Sequence, residues 1–317
     1  IVMNIISAQQ VHENLSFEEL VPLLKTSFSK PFHMPQRQVF GLAPEDNDNH
    51  DGFALLPSWN EEVIGNKAFT YFPDNAANYD LPGLFSKIML FKRKTGEPLA
   101  LVDGTSITYW RTAAISALAS QLLSKEDSKH LMLFGTGNLA GYLVKAHLSV
   151  RALNKVTLWG RNSDKVNALI TEFRALYPDV SFMASVDVDS EVAAADIVCC
   201  ATGSKTPLFD GNKLSAGTHV DCLGNHIADA RECDTTTLVR ARVFVDSLTN
   251  TLNEAGELLI PIAEGSFNKD EIVGELTDMC KKPELLRQSA DEITLFKSVG
   301  TAISDLVAAY QVVQKVS

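Results

Sequence analysis

The sequence predicts an α/β fold in two parts, and three observations carry that prediction. From His130 onward, strand-like and helix-like segments alternate. The first third instead mixes short apolar runs with turn clusters such as APEDNDNHDG and PDNAANYDLPG. At the start of the alternating region a glycine-rich turn, GTGNLAG, joins a strand candidate to a helix candidate. A chain of 317 residues is long enough for about two domains, each burying its own core. Its 45% hydrophobic content and mean hydropathy of +0.02 are those of an ordinary globular protein.

The elements support this reading in chain order. Apolar runs bounded by turn residues predict several β-strands joined by loops in the first third. KIMLFKR, the turn-like KTGEP and LALVDG form a predicted hairpin. From Tyr109 to Leu123 the residues become small and apolar, which suits a well-packed helix. HLMLF opens the alternating region as a strand, YLVKAHLSVR is the helix after it, and KVTLWG is the next strand. A helix is predicted over residues 164–177, where Val166, Leu169, Ile170, Phe173 and Leu176 share one apolar face. VSFMAS, DIVCCAT, GTHVDCLG and ARVFVDS supply further strands. Near-continuous apolar strands alternating with helices indicate a parallel sheet covered on both faces. Helical spacing returns in the closing segment, at Ile303, Leu306, Val307, Tyr310 and Val313, which is expected to pack on the N-terminal domain. The expected division is 1–120 with 301–317 as an α+β domain, and 121–300 as the parallel α/β domain.

The glycine-rich turn carries the first chemistry. Gly135-Thr-Gly137-Asn-Leu-Ala140 matches the GxGxxA fingerprint of a Rossmann dinucleotide-binding domain. It stands where its physics requires, after an apolar strand and opening a helix. Gly135 permits the tight turn, Gly137 lets the backbone approach a pyrophosphate, and Ala140 lets helix and strand pack closely. The pyrophosphate would sit on the positive helix N-terminus at Asn138 and Leu139. A dinucleotide fold selecting NAD places an acid about 20 residues past the fingerprint, on the ribose 2′-hydroxyl. Here the second strand ends in Leu158-Trp159-Gly160-Arg161-Asn162-Ser163, without an acid. Arg161 is suited to pair with a 2′-phosphate, with Asn162 and Ser163 adding hydrogen bonds, which favours NADP over NAD. A solvated arginine at a strand end is the plainer alternative.

Composition argues against other classes. A formal charge of −11 is at odds with the basic face that nucleic-acid or anionic-membrane binding needs. No run approaches the ~20 apolar residues of a membrane span. The segment IVMNIISAQQVHENL lacks the features of a secretory signal, so the expected compartment is the cytoplasm. Five cysteines with no CxxC suggest neither a disulfide framework nor zinc, and Cys199 and Cys200 read as buried thiols. The histidines show no metal-ligand spacing, so no metal is expected.

Longer strings add a resemblance. GEPLALVDGTSITYWRTAAISALA, the glycine fingerprint and LFKSVGTAISDLVAA together resemble the ornithine cyclodeaminase/mu-crystallin family over essentially the whole chain. The strings ITxxRTAA and FKSxGxAxxD are much more specific than the glycine loop. The resemblance implies a homodimer, an N-terminal domain that pairs subunits and holds substrate, and a Rossmann domain that holds a nicotinamide dinucleotide. The activities it implies are ornithine cyclodeamination, alanine dehydrogenation, and reduction of cyclic ketimines to proline or pipecolate. By the same resemblance, Arg37 in MPQRQVF would grip the substrate carboxylate bidentately. Lys67 in NKAFTYFPDN would sit beside that carboxylate and the reacting nitrogen. Arg111 would lie between substrate and cofactor pyrophosphate, with Thr112 adjacent. Thr202, Leu223 with its neighbours Gly224 and Asn225, and Ser298 would meet the cofactor, and Val299 would close over the nicotinamide and the substrate. Taken alone, each of the three cations is more often a surface charge than a ligand. The resemblance reverses that expectation.

Two departures from the family pattern narrow the activity. Ornithine-cyclising members carry an aspartate two residues after the glycine matching Gly224, and a glutamate just before the apolar-proline turn. Here those positions hold His226 and Ala54. Both acids serve a substrate with a distal amine, which would lack a partner here at a cost of several kcal/mol if buried. A substrate with one carboxylate and one ring nitrogen fits better. His226 reads either as a proton donor near the imine or as a polar spectator. The function the resemblance implies is thus NADPH-dependent reduction of Δ1-pyrroline-2-carboxylate to L-proline, with Δ1-piperideine-2-carboxylate as a further candidate. Its alternatives are an ornithine cyclodeaminase and a non-catalytic, crystallin-like NADP-binding protein.

Overall fold

The computed structural model describes residues 3–42 and 50–316. It separates into two compact units, Ile1–Thr112 with Thr301–Ser317, and Ala113–Gly300. The first unit contains β1 (Asn4–Ile6), α1 (Ala8–Asn14), α2 (Phe17–Ser29), β2 (Gln38–Gly41), β3 (Gly52–Trp59) and β4 (Val63–Tyr71). It continues through α3 (Asn75–Tyr79), β5 (Leu84–Lys92) and β6 (Pro98–Asp103) into α4 (Gly104–Leu123), inside which the division between units falls. That is earlier than the expected 120/121. The strands form one sheet in the order β1-β6-β5-β4-β3-β2, antiparallel except for the β1–β6 pair. The predicted hairpin is β5–β6, with Ile88 opposite Val102 and Met89 opposite Leu101.

Two helices correct the all-strand reading of the first third. Ser7 and Gln10 form a reciprocal capping box that starts α1. In α2, Phe17, Leu20, Val21, Leu24 and Phe28 are buried at helical spacing, and Pro22 lies among them. Proline in a helix interior costs about 3 kcal/mol, whereas burying each large apolar side chain returns about 1.5–3 kcal/mol. The apolar face wins, and the proline hid it. Likewise α4 begins at Gly104 rather than Tyr109, because Asp103 Oδ2 accepts from Ser106 N at 3.0 Å and caps the helix.

The second unit runs β7 (His130–Phe134), α5 (Leu139–Val150), β8 (Lys155–Trp159), α6 (Ser163–Leu176), β9 (Ser181–Ala184), α7 (Val188–Ala194) and β10 (Ile197–Cys200). After β11 (His219–Cys222) come α8 (Thr235–Arg240), β12 (Ala241–Val245), α9 (Leu248–Glu254) and α10 (Gly256–Ala263). The unit closes with β13 (Ile272–Glu275), α11 (Leu276–Lys281) and β14 (Ile293–Lys297). All eight strands are parallel, in the order β13-β12-β14-β11-β10-β7-β8-β9. Within it, β9-β8-β7-β10-β11-β14 is the 3-2-1-4-5-6 winding of a Rossmann sheet, with the topological switch between β7 and β10. Every residue of β7, β10, β11 and β14 is buried, as central parallel strands require. The apolar run ITLFK is too short for periodicity to classify, and the structure makes it β14. On α6, Val166, Ile170 and Phe173 are buried, but Leu176, its last residue, is 53% exposed and does not belong to the predicted face.

The chain then returns to the first unit as α12 (Ala302–Val316), which packs on β3, β4, β5, α1 and α2.

Candidate functional site

In the first unit the alternation of β4 turns Lys67 inward, with Val63 and Gly65. Leu56 and Ile88 are its register neighbours on β3 and β5. A Cβ at Gly65 would collide with Leu306 of α12, so the glycine lets that helix lie close over the sheet. The close helix delivers Asp305. Lys67 Nζ donates to Asp305 Oδ1 at 3.1 Å and to Thr108 Oγ1 at 2.6 Å, and Thr108 is itself held by the carbonyl of Gly104. Arg111 Nε, from α4, donates to the same Oδ1 at 2.9 Å. Lys67 is only 5% exposed and Arg111 is also buried. Burial pushes the Lys67 ammonium down to about 8; Asp305 pulls it up, while the charges of Arg111 and Arg37 push it further down. Arg37, half-buried just before β2, is therefore near enough for Lys67 to feel its charge. Thr112 follows Arg111 on α4 and is half-buried.

Two buried cations, Lys67 and Arg111, share the one carboxylate of Asp305, which leaves positive charge in excess there. Sites of this kind call for an anion. Asp305 closes the string FKSxGxAxxD, and spacing alone gives it no role. The available signal was an acid set among the apolar residues Ile303, Leu306 and Val307. Ala54 lies on the same sheet face as Lys67, two residues from Leu56, and is fully buried with Met34, Leu56, Phe69 and Ala302. The floor beside Lys67 is apolar there.

The second unit holds the glycine turn at the carboxyl end of β7. Gly135 has φ +121°, which favours glycine, and a Cβ there would collide with the Ala201 carbonyl. A Cβ at Gly137 would meet only open space, the room a pyrophosphate needs. Asn138 is the N-cap residue and Leu139 opens α5. Beyond them a cleft of about 730 Å³ is lined by Gly135, Gly137, Gly160, Arg161, Thr202 and Lys165, among others. Lys205 adds a third cation, and no carboxylate of the described residues lines this cleft. These features fit a phosphate-bearing dinucleotide.

Asn162 lines this cleft as well. Its Oδ1 accepts from Asp164 N and Lys165 N, so that oxygen caps α6 rather than waiting for a ligand. Ser163 is the exposed first residue of α6 and is not among the residues lining the cleft. On the other side of the switch point, Thr202 follows β10, Leu223 follows β11, and Ser298 and Val299 follow β14. Leu223, Ser298 and Val299 are buried. Val299 N donates to Asp246 Oδ2 at 3.0 Å, and Ser298 N to the Cys222 carbonyl at 3.2 Å. His226 is exposed in the loop after Gly224.

One group among the described residues has metal-ligand chemistry that the spacing of the histidines did not indicate. His147, Cys199 and Asp221 present donor atoms within 4.8 Å of one another. Both nitrogens of His147 are engaged, by the Leu143 carbonyl and by Ser120 Oγ at 2.9 Å each. Asp221 accepts from Ser116 Oγ and Cys199 Sγ, and burial raises its carboxyl to about 7. The group therefore reads as a hydrogen-bonded buried cluster.

Fold and site together define a class: a Rossmann unit suited to a dinucleotide, joined to a unit with a buried cation cluster suited to a small anion. The chain matches the ornithine cyclodeaminase/mu-crystallin family over residues 2–317 and belongs to that family. It is 79% identical over 315 residues to a Δ1-pyrroline-2-carboxylate reductase of Colwellia psychrerythraea, covering 99% of this chain and 100% of the relative. A second, from Paracoccus denitrificans, is 37% identical over 254 residues, covering 80% of this chain and 79% of the relative. Among solved structures, Thermococcus litoralis Δ1-pyrroline-2-carboxylate reductase in complex with NADH and L-proline aligns with a TM-score of 0.91 at 29% identity, covering 99% of this chain and 97% of that one.

Proposed function

We propose that this chain is an NAD(P)H-dependent reductase of cyclic ketimines that converts Δ1-pyrroline-2-carboxylate to L-proline and prefers NADPH. The observation that carries the reading is the excess positive charge of Lys67 and Arg111 around the single carboxylate of Asp305. A small monoanion neutralises that excess, and a guanidinium fork matches a carboxylate bidentately. Lys67 has three donors, two of them engaged by Thr108 and Asp305, which leaves one for a ligand. With its pKa at about 8, Lys67 is charged at neutral pH and still close enough to neutrality to give up a proton. The reduced nicotinamide, when bound, supplies a hydride to the carbon of the C=N bond. Lys67 supplies the proton that the ring nitrogen takes up, and the product is a secondary amine. The names of the relatives above support the same reaction.

The apolar surroundings of Ala54 offer nothing to a distal ammonium, which argues against ornithine. Arg161 and Lys165, in a cleft that no carboxylate of the described residues lines, support NADPH. A six-membered ketimine carries the same carboxylate and nitrogen plus one methylene, a difference worth only about 1–3 kcal/mol, so it is a slower substrate rather than a rejected one. Initial rates with five- and six-membered ketimines, each with NADPH and NADH, and with ornithine plus NAD test this. The five-membered ring with NADPH should be fastest. Ornithine turnover at a matching rate would overturn the reading.

A homodimer belongs to the same proposal. Ile5, Leu101 and Met89 align in register across β1, β6 and β5, and Ile5 and Met89 are 75% and 37% exposed. Phe85, on the same face of β5, is also exposed. A second copy of the chain would cover this apolar row. Sedimentation should give twice the chain mass, and a monomer at micromolar concentration would refute it.

A further inference from the structure

We infer that Glu232 is a positioning residue for the nicotinamide half of the dinucleotide, because it bolts together the two strand ends on that half's side of the sheet. The inference rests on the dinucleotide reading above. In a Rossmann sheet the first strand carries the pyrophosphate turn and the end of the second faces the adenosine ribose. Here those strands are β7 and β8, so the nicotinamide half takes the opposite side of the switch point, at the carboxyl ends of β10 and β11.

Glu232 is fully buried on that side. Its Oε1 accepts from Thr202 N at 2.6 Å and from Thr202 Oγ1 at 2.9 Å, and its Oε2 accepts from Gly224 N at 2.7 Å. Thr202 stands two residues past β10 and Gly224 two residues past β11, so a single carboxylate fixes both loops. Glycine is required at 224, since a Cβ there would collide with the backbone of Thr202 and with the Glu232 carboxylate.

The bolt has its own support. Glu232 N donates to Glu257 Oε1 at 3.0 Å, and the other oxygen of Glu257 faces Lys297 Nζ at 3.1 Å. Lys297 Nζ donates to the Asn225 carbonyl at 2.8 Å. Lys297 ends β14, immediately before Ser298, so the network reaches a third strand end. None of these hydrogen bonds involves Arg161 or Asn162 at the end of β8. Loss of Glu232 should therefore disturb one half of the cofactor and spare the other.

The test is Glu232→Gln in the full chain, which keeps the shape but turns an amide N–H₂ toward an N–H donor. Affinity is measured for NADPH and for adenosine 2′,5′-bisphosphate, which has only the adenosine half, together with kcat and KM for the ketimine. NADPH binding should weaken about tenfold or more, the cost of leaving a buried N–H facing another donor, and kcat should fall. Affinity for the bisphosphate should stay within about twofold. Equal losses for both ligands would reveal general loosening and overturn the proposal, as would no change in either. Should Glu232→Gln not fold, Glu232→Asp keeps the carboxyl group but is one methylene too short to span both loops, and the same split decides. If the unsubstituted protein binds neither ligand, the dinucleotide reading itself has failed.

Discussion

Asp305→Asn probes the electrostatics of the cation cluster. Asp305 Oδ1 receives Lys67 at 3.1 Å and Arg111 at 2.9 Å. Burial holds Lys67 at about 8, with Asp305 pulling it up and Arg111 and Arg37 pushing it down. Because the pKa is depressed, the ammonium is present below about 8 and lost above it. If charged Lys67 holds the carboxylate and gives the proton, kcat/KM for the ketimine falls above that pH, about tenfold per pH unit. A hydrogen bond to a charged group is worth about 1.5–3 kcal/mol, and one pH unit corresponds to about 1.36 kcal/mol. Removing the charge of Asp305 should therefore move the falling limb toward acid by about one to two pH units. Asparagine keeps the side-chain shape, and a thermal melt checks that the variant is folded. The assay is kcat/KM against pH at saturating NADPH for both proteins. A limb at the same pH in both, or no limb near 8 in the unsubstituted protein, would refute the reasoning.

Arg161→Ala should raise KM for NADPH about tenfold or more, the value of a lost phosphate partner, and leave NADH nearly unchanged; equal losses would remove Arg161 from phosphate recognition. Arg37→Ala should lower ketimine kcat/KM by about ten- to a hundredfold while NADPH affinity, measured by fluorescence titration, stays constant. Ornithine cyclodeamination should be absent or very weak, and installing acids in Ala54→Glu with His226→Asp should raise it, as measured by ammonia release. No gain in a folded double variant would mean that those two positions do not govern the choice of substrate.

Much of the fold was legible because it is written in local pattern. Buried parallel strands such as HLMLF and DIVCCAT are continuous apolar runs, and the turn GTGNLAG needs glycine for steric reasons visible in any sequence. The helices at residues 8–29 were not legible as such, because Pro22 sits within the apolar spacing and tertiary burial overrides it. For the site, residue types gave Arg161 and the glycines, while Arg37, Lys67 and Arg111 needed the family resemblance to stand out from surface charges. Asp305 and Glu232 escaped. Each matters through partners far away in the chain, Lys67 for one and Thr202 for the other, and such pairings leave no spacing to read. The side-chain oxygen of Asn162 is used by the backbone of its own helix.

The central claim is that the chain reduces a cyclic C=N bond with a hydride from NADPH and a proton held by its own residues. The most direct measurement is a full progress curve with Δ1-pyrroline-2-carboxylate and NADPH, followed at the nicotinamide absorbance, with the product resolved by chiral chromatography. The account predicts L-proline in equal amount to the NADPH consumed. NADPH left unoxidised by this substrate, in a protein that binds the cofactor, would contradict it.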